Sequence, residues 1–114
     1  MKRRTKQFAL RVIRLVESLL RGRTADVIGN QLLRSGTSVG SNYRAACRAK
    51  SNADFISKMG TVEEETDESL YWMELLIEAE IVKLDKLESL MEEVNELLAI
   101  TVSSIKTAKN KKNK

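Results

Sequence analysis

The chain has no histidine, no proline and a single cysteine among its 114 residues, with five glycines and only 4% aromatic residues. Without histidine there is no Ser-His-Asp or Cys-His couple, no Cys/His zinc site, and none of the Glu-x-x-His pairs that hold two iron ions inside helical bundles. One thiol, Cys47, excludes an intramolecular disulfide and suits a reducing compartment. No run of about 18 apolar residues is present to span a bilayer. Lys2, Arg3, Arg4 and Lys6 lead into a segment broken by Arg11 and Arg14, unlike a secretory signal. The sequence therefore predicts a cytoplasmic protein with no membrane association. Its length has room for one compact domain, residues 1–114, with frayed basic ends at about 1–5 and 107–114.

What is present is helical periodicity. Phe8, Val12, Leu15 and Leu19 form an apolar stripe with Arg11, Arg14, Ser18 and Arg21 on the other side, and Gly22 is placed to close this first helix. Thr24 is the expected N-cap of a second helix, with a core face of Ile28, Leu32, Ser35, Val39, Tyr43 and Ala46 or Cys47. Gly29, Gly36 and Gly40, with the serines around them, favour a loop by propensity, since a mid-helix glycine costs up to about 1 kcal/mol relative to alanine. The apolar phase runs through them without a slip. One long helix whose small residues admit a close neighbour is the preferred reading; a break near Ser35 to Ser41 is the alternative. Ser51 or Asn52 caps a third helix with Phe55, Met59, Val62, Thr66, Leu70, Met73 and Leu76 or Ile77 inward. After a connection at Glu80 to Lys86, Leu87, Met91, Val94, Leu98, Thr101 and Ile105 give a fourth. Short connections force antiparallel neighbours, so the expected fold is all-α, an up-down-up-down four-helix bundle, a rod about 30 to 40 Å long.

The formal charge of +4 conceals a division. The first 50 residues carry 12 basic and two acidic side chains, while the remaining 64 carry 8 basic and 14 acidic ones. Arg34, Thr37, Ser41, Arg44 and Arg48 recur at spacings of three and four and share one face of helix two. With Arg11 and Arg14 on helix one, this stripe is a candidate surface for the phosphate backbone of RNA or DNA. The competing reading pairs the same arginines with acids of helix three, in the same chain or in another copy. Tyr71 and Trp72 fall off the core phase beside Glu64 and Glu68, and these four residues are the candidate oligomer interface.

Catalytic constellations are absent from the pattern. Consecutive acids such as Glu63, Glu64, Glu65, Asp67 and Glu68 point in different directions on a helix and suit a solvated face better than a metal site. Cys47 lies near the core phase beside Ala46 and is expected to be a small buried hydrophobe. The sequence thus predicts no enzyme, cofactor, metal or small-molecule substrate.

The segment Gln31-Leu32-Leu33-Arg34-Ser35-Gly36-Thr37-Ser38-Val39-Gly40-Ser41-Asn42-Tyr43-Arg44-Ala45-Ala46 resembles the bacterial four-helix-bundle proteins encoded by intervening sequences within 23S ribosomal RNA genes. Ala53-Asp54-Phe55-Ile56 and Glu65-Thr66-Asp67-Glu68-Ser69-Leu70-Tyr71-Trp72 carry the same resemblance to this family, often labelled ribosomal protein S23. It extends from about Phe8 to Lys109. The resemblance implies an unbroken second helix and a ring-shaped homo-oligomer, a pentamer. More remotely, it implies kinship with accessory proteins of diversity-generating retroelements, whose basic ring associates with reverse transcriptase and nucleic acid. Many members have glutamate where this chain has Ala45, so any function of that carboxylate is absent or relocated here.

Overall fold

The structure, a computed structural model, describes residues 1–112, nearly all of them in four helices: α1 (Lys2–Glu17), α2 (Arg23–Cys47), α3 (Asn52–Glu78) and α4 (Leu84–Lys112). No strand occurs among the described residues. Helix α2 runs without interruption through Gly29, Gly36 and Gly40. Its small residues are where α1 comes closest: a Cβ added to Gly36 would lie 2.9 Å from both methyl carbons of Val12. One added to Gly40 would meet Thr5 at 3.4 Å. At Gly36 glycine's propensity cost is thus offset by a close approach of Val12 that a larger residue would prevent, whereas at Gly40 an added Cβ would make ordinary contact.

The helix ends differ from the sequence expectation in two places. Helix α1 stops at Glu17 and not at Gly22, because Ser18 turns its hydroxyl onto the Leu15 carbonyl at 2.6 Å and closes the last turn. Gly22 is instead the N-cap of α2, which leaves Thr24 inside the first turn; Asp26 reaches back to the Gly22 N–H at 3.5 Å in place of a hydroxyl cap. At α3 the expected cap is present, with Ser51 Oγ accepting from Asp54 N at 3.0 Å.

The α3–α4 connection is residues 79–83, shorter than expected, since Leu84 to Lys86 already belong to α4. It is a Schellman turn: Ile81 N–H donates to Leu76 O at 2.9 Å and Glu80 N–H to Ile77 O at 3.0 Å. Glu80 occupies the left-handed position with φ of 60°, where a side chain costs about 1–2 kcal/mol. Glu80→Gly is therefore expected to raise stability by about 1 kcal/mol in urea unfolding. A destabilised variant would show that the carboxylate makes a compensating contact.

Neighbouring helices run in opposite directions. Along α2, positions 29, 36 and 40 meet Val16, Val12 and Thr5 of α1 in descending order, and Arg4 and Arg11 of α1 reach Glu93 and Ser89 of α4 in the same sense. The core is Phe8 and Val12 of α1, Ile28, Leu32, Val39 and Ala46 of α2, and their counterparts on α3 and α4. Leu90, Leu97 and Ser69 are buried too, positions that a narrow stripe omits because a bundle helix faces two neighbours at once. Among the described residues the buried hydroxyls are all satisfied, Thr66 and Thr101 by carbonyls one turn back and Ser35 by Ser69 at 3.0 Å.

The bundle measures 52 × 21 × 20 Å, longer than expected. Helix α4 reaches 29 residues, because it continues to Lys112 through part of one segment expected to fray, and α1 already begins at Lys2 in the other. At the start, the buried Thr5 donates its hydroxyl to Met1 O at 2.9 Å. Towards the end, Ala108 is buried and accepts from Asn52 Nδ2 at 2.7 Å. Asn113 and Lys114 lie outside the described residues.

Candidate functional site

Antiparallel pairing of α1 with α2 sets the basic N-terminal run beside the last turns of α2. Lys2, Arg3 and Lys6 from α1, Ser41 and Arg44 from α2 and Arg48 at its C-cap line an open groove of about 740 Å³, floored by Thr5, Ala9, Thr37 and Gly40. Gly40 adds no side chain to the floor beside Thr5 of α1. Around the other side of α2 a second groove of about 680 Å³ reuses Ser41, Arg44 and Arg48 and adds Ala45, Lys50, Asp54 and Lys58. Asp54 is the one acid in either lining. Lys58 Nζ binds both of its oxygens at 2.7 Å. That bond, followed by the Lys50 N–H, outweighs desolvation and holds Asp54 below the usual carboxylate range.

Among the described residues neither Arg44 nor Arg48 is ion-paired, and both are exposed. Exposed Lys106, Lys109 and Lys111 lie towards the same end, on the stretch of α4 that docks against Asn52. The bundle is therefore polarised along its axis, with a cationic end where α1 begins and α2 finishes.

The sequence-predicted stripe is divided by the fold. Arg34 does not join the groove: it pairs with Glu65 at 3.1 Å and with Glu68 on α3. Arg11 turns towards α4 and donates to Ser89 Oγ at 2.8 Å, while Arg14 is exposed away from both linings. Thr37 and Ser41 do border the grooves, with their hydroxyls on carbonyls of their own helix at 2.7 and 3.2 Å. Lys2, Arg3, Lys6 and Lys50 complete the site. The dense basic run at the N-terminus was the available signal for three of them, but only the pairing of α1 with α2 tells which helix face it joins.

Cys47 is exposed, contrary to its expected burial, because Ala46 takes the inward position at the end of α2. Partial burial, and then the neighbouring Cys47 thiol, push the Tyr43 hydroxyl above its ordinary range.

The other polar clusters are internal braces. Arg4 grips Glu93 through two bonds of 2.8 Å and also pairs with Glu96. These bonds raise the Arg4 pKa; on Glu93 the Arg4 hydrogen bond outweighs desolvation and lowers its pKa. Glu68 joins Arg34 and accepts from Trp72 Nε1 at 3.0 Å. Tyr71 is 52% exposed and meets Trp72 edge-on at 5.0 Å, and Glu64 is exposed one turn below Glu68. Among the described residues no three His, Cys, Asp or Glu side chains are grouped to hold a metal ion, and no helix is long and apolar enough to cross a membrane.

Residues 1–103 match the family model of the 23S rRNA-intervening sequence proteins. A crystal structure of a protein with unknown function from the S23 ribosomal protein family of Bacteroides thetaiotaomicron is similar, with 38% identity and a TM-score of 0.86. The match covers 92% of this chain and 97% of that one. No curated protein matches the chain.

Proposed function

The chain belongs to the 23S rRNA-intervening sequence protein family, and on that premise we propose that it is a non-enzymatic, cytoplasmic bundle that binds RNA or DNA through its cationic end and assembles into a homo-oligomer. The observation that supports binding is the contrast within one helix face: Arg34 is neutralised by Glu65 and Glu68, whereas Arg44 and Arg48 have no acidic partner among the described residues and stand beside Lys2, Arg3 and Lys6. Unpaired cations along a groove repel one another unless an anion lies between them, and a phosphate backbone supplies such anions at regular intervals. Filter binding of the purified protein to mixed RNA and DNA fragments tests this. Affinity is expected to fall steeply between about 50 and 200 mM salt. Absence of binding at low salt, or affinity indifferent to salt, removes the reading.

The assembly is supported by the exposed Tyr71 ring beside the acidic face of α3, and the family resemblance supports a pentameric ring. Light scattering is expected to give a mass several times that of the chain. Tyr71→Glu is expected to lower it with the helices intact by circular dichroism. A monomer at micromolar concentration refutes this part alone.

A further inference from the structure

Arg44 and Arg48 stand one helical turn apart and border both grooves at once. The last turns of α2 therefore form a ridge with two guanidinium groups, flanked by Lys2, Arg3 and Lys6 of α1 on one side and by Lys50, beside the Lys58–Asp54 pair, on the other. Helix α2 packs against both α1 and α3, so Lys2, Arg3 and Lys6 lie on one side of the ridge and Lys50 on the other. Cations on both sides of one ridge suit two rows of phosphates. A duplex offers two rows bordering a groove, about 12 Å wide in the major groove of B-DNA, whereas an unpaired strand offers one row.

The aromatic residues argue in the same direction. Binding of unpaired strands draws on stacking of bases upon aromatic rings. Neither groove has an aromatic residue in its lining. Tyr71 lies 13 residues past Lys58, about 20 Å along α3, amid Glu68 and Glu74. Tyr43 and Phe55 pack against the core. Charge on the backbone is what remains to be recognised, and a duplex has the higher density of it. Asp54, the acid that would repel a phosphate, has both oxygens engaged by Lys58.

We propose that the cationic end takes the phosphate backbone of a double-stranded nucleic acid in preference to an unpaired strand, with the Arg44 and Arg48 ridge set between two phosphate rows. This rests on the nucleic-acid reading above, and its test is chosen to fail separately. Fluorescence anisotropy compares duplex RNA, duplex DNA and an unstructured single strand, each about 20 nucleotides long, across about 50 to 200 mM salt. At least one duplex is expected to bind about tenfold tighter than the single strand at about 100 mM salt, with the steeper salt dependence. Preference for either duplex supports the proposal, and the RNA and DNA arms show whether the 2′-hydroxyl contributes. Combining Lys6→Ala with Lys50→Ala is expected to narrow the duplex advantage, because a duplex that engages both flanks loses two phosphate contacts where a single strand in one groove loses one. Equal or tighter binding of the single strand overturns the duplex proposal and leaves nucleic-acid binding standing. Failure of all three ligands at low salt overturns both.

Discussion

Gly36→Val is expected to lower the melting temperature by roughly 10 °C, the largest loss foreseen for a single side chain that is added and not removed. Even the first added carbon would sit 2.9 Å from two methyl groups of Val12, closer than van der Waals contact allows. Val12 is fully buried and β-branched, with one favoured rotamer on a helix, so it has no route of retreat. Either α1 lifts away from α2 or the core distorts, and overpacking of this kind costs about 1–3 kcal/mol. The gain in helix propensity on replacing glycine recovers only a few tenths of a kcal/mol for valine. Two companions give the result meaning. Pairing Gly36→Ala with Val12→Ala should be less damaging than the sum of the two single changes, because each makes room for the other. At Gly60 an added Cβ meets nothing within 4 Å, so Gly60→Ala should stabilise by up to about 1 kcal/mol. Thermal melts of the set decide it: a Gly36→Val protein as stable as the parent would mean that α1 does not rest against α2 in this register.

The second large effect is on binding. Arg44→Ala combined with Arg48→Ala is expected to reduce nucleic-acid affinity by about 60-fold at about 0.1 M salt, taking each lost phosphate contact at about eightfold from its share of the salt dependence. The melting temperature should scarcely move, since neither guanidinium has an acidic partner among the described residues. Arg34→Ala should behave in the opposite way. It leaves Glu65 and Glu68 facing each other and takes one partner from the acid that also holds the Trp72 indole, so stability falls by up to about 1 kcal/mol, in keeping with its half-exposed position. Affinity should change little. Three arginines of one sequence stripe would thus separate into a stability role and a binding role. Equal loss of affinity on removing Arg34 would show that the ligand path extends beyond the grooves.

Much of the helical framework is legible in the order of residues. The phase through Ile28, Leu32, Ser35, Val39 and Ala46 outlasts three glycines, because side-chain periodicity reports burial on a bundle face while glycine's local preference amounts to about 1 kcal/mol at each position. The boundaries were less legible. Gly22 as a cap of α2 and Glu80 in a left-handed turn depend on a competition between nearby hydrogen bonds that residue types alone leave balanced. Cys47 and Ala46 are adjacent and similar in size, and a change of about 100° in direction decided which one is buried.

By itself, then, the sequence determined four amphipathic helices, an antiparallel order imposed by short connections, and a basic half joined to an acidic half. Which charges remain free was decided only by the tertiary register. On antiparallel helices, a step of ten residues from Arg34 to Arg44 along α2 is a step of about ten residues back along α3, from Glu65 and Glu68 to the neighbourhood of Lys58 and Asp54. The first arginine finds two carboxylates there. The second finds a carboxylate already bound to lysine and, across the other groove, the basic start of α1. A stripe read along one helix cannot distinguish these positions, because ion pairing depends on what the neighbouring helix presents at that height.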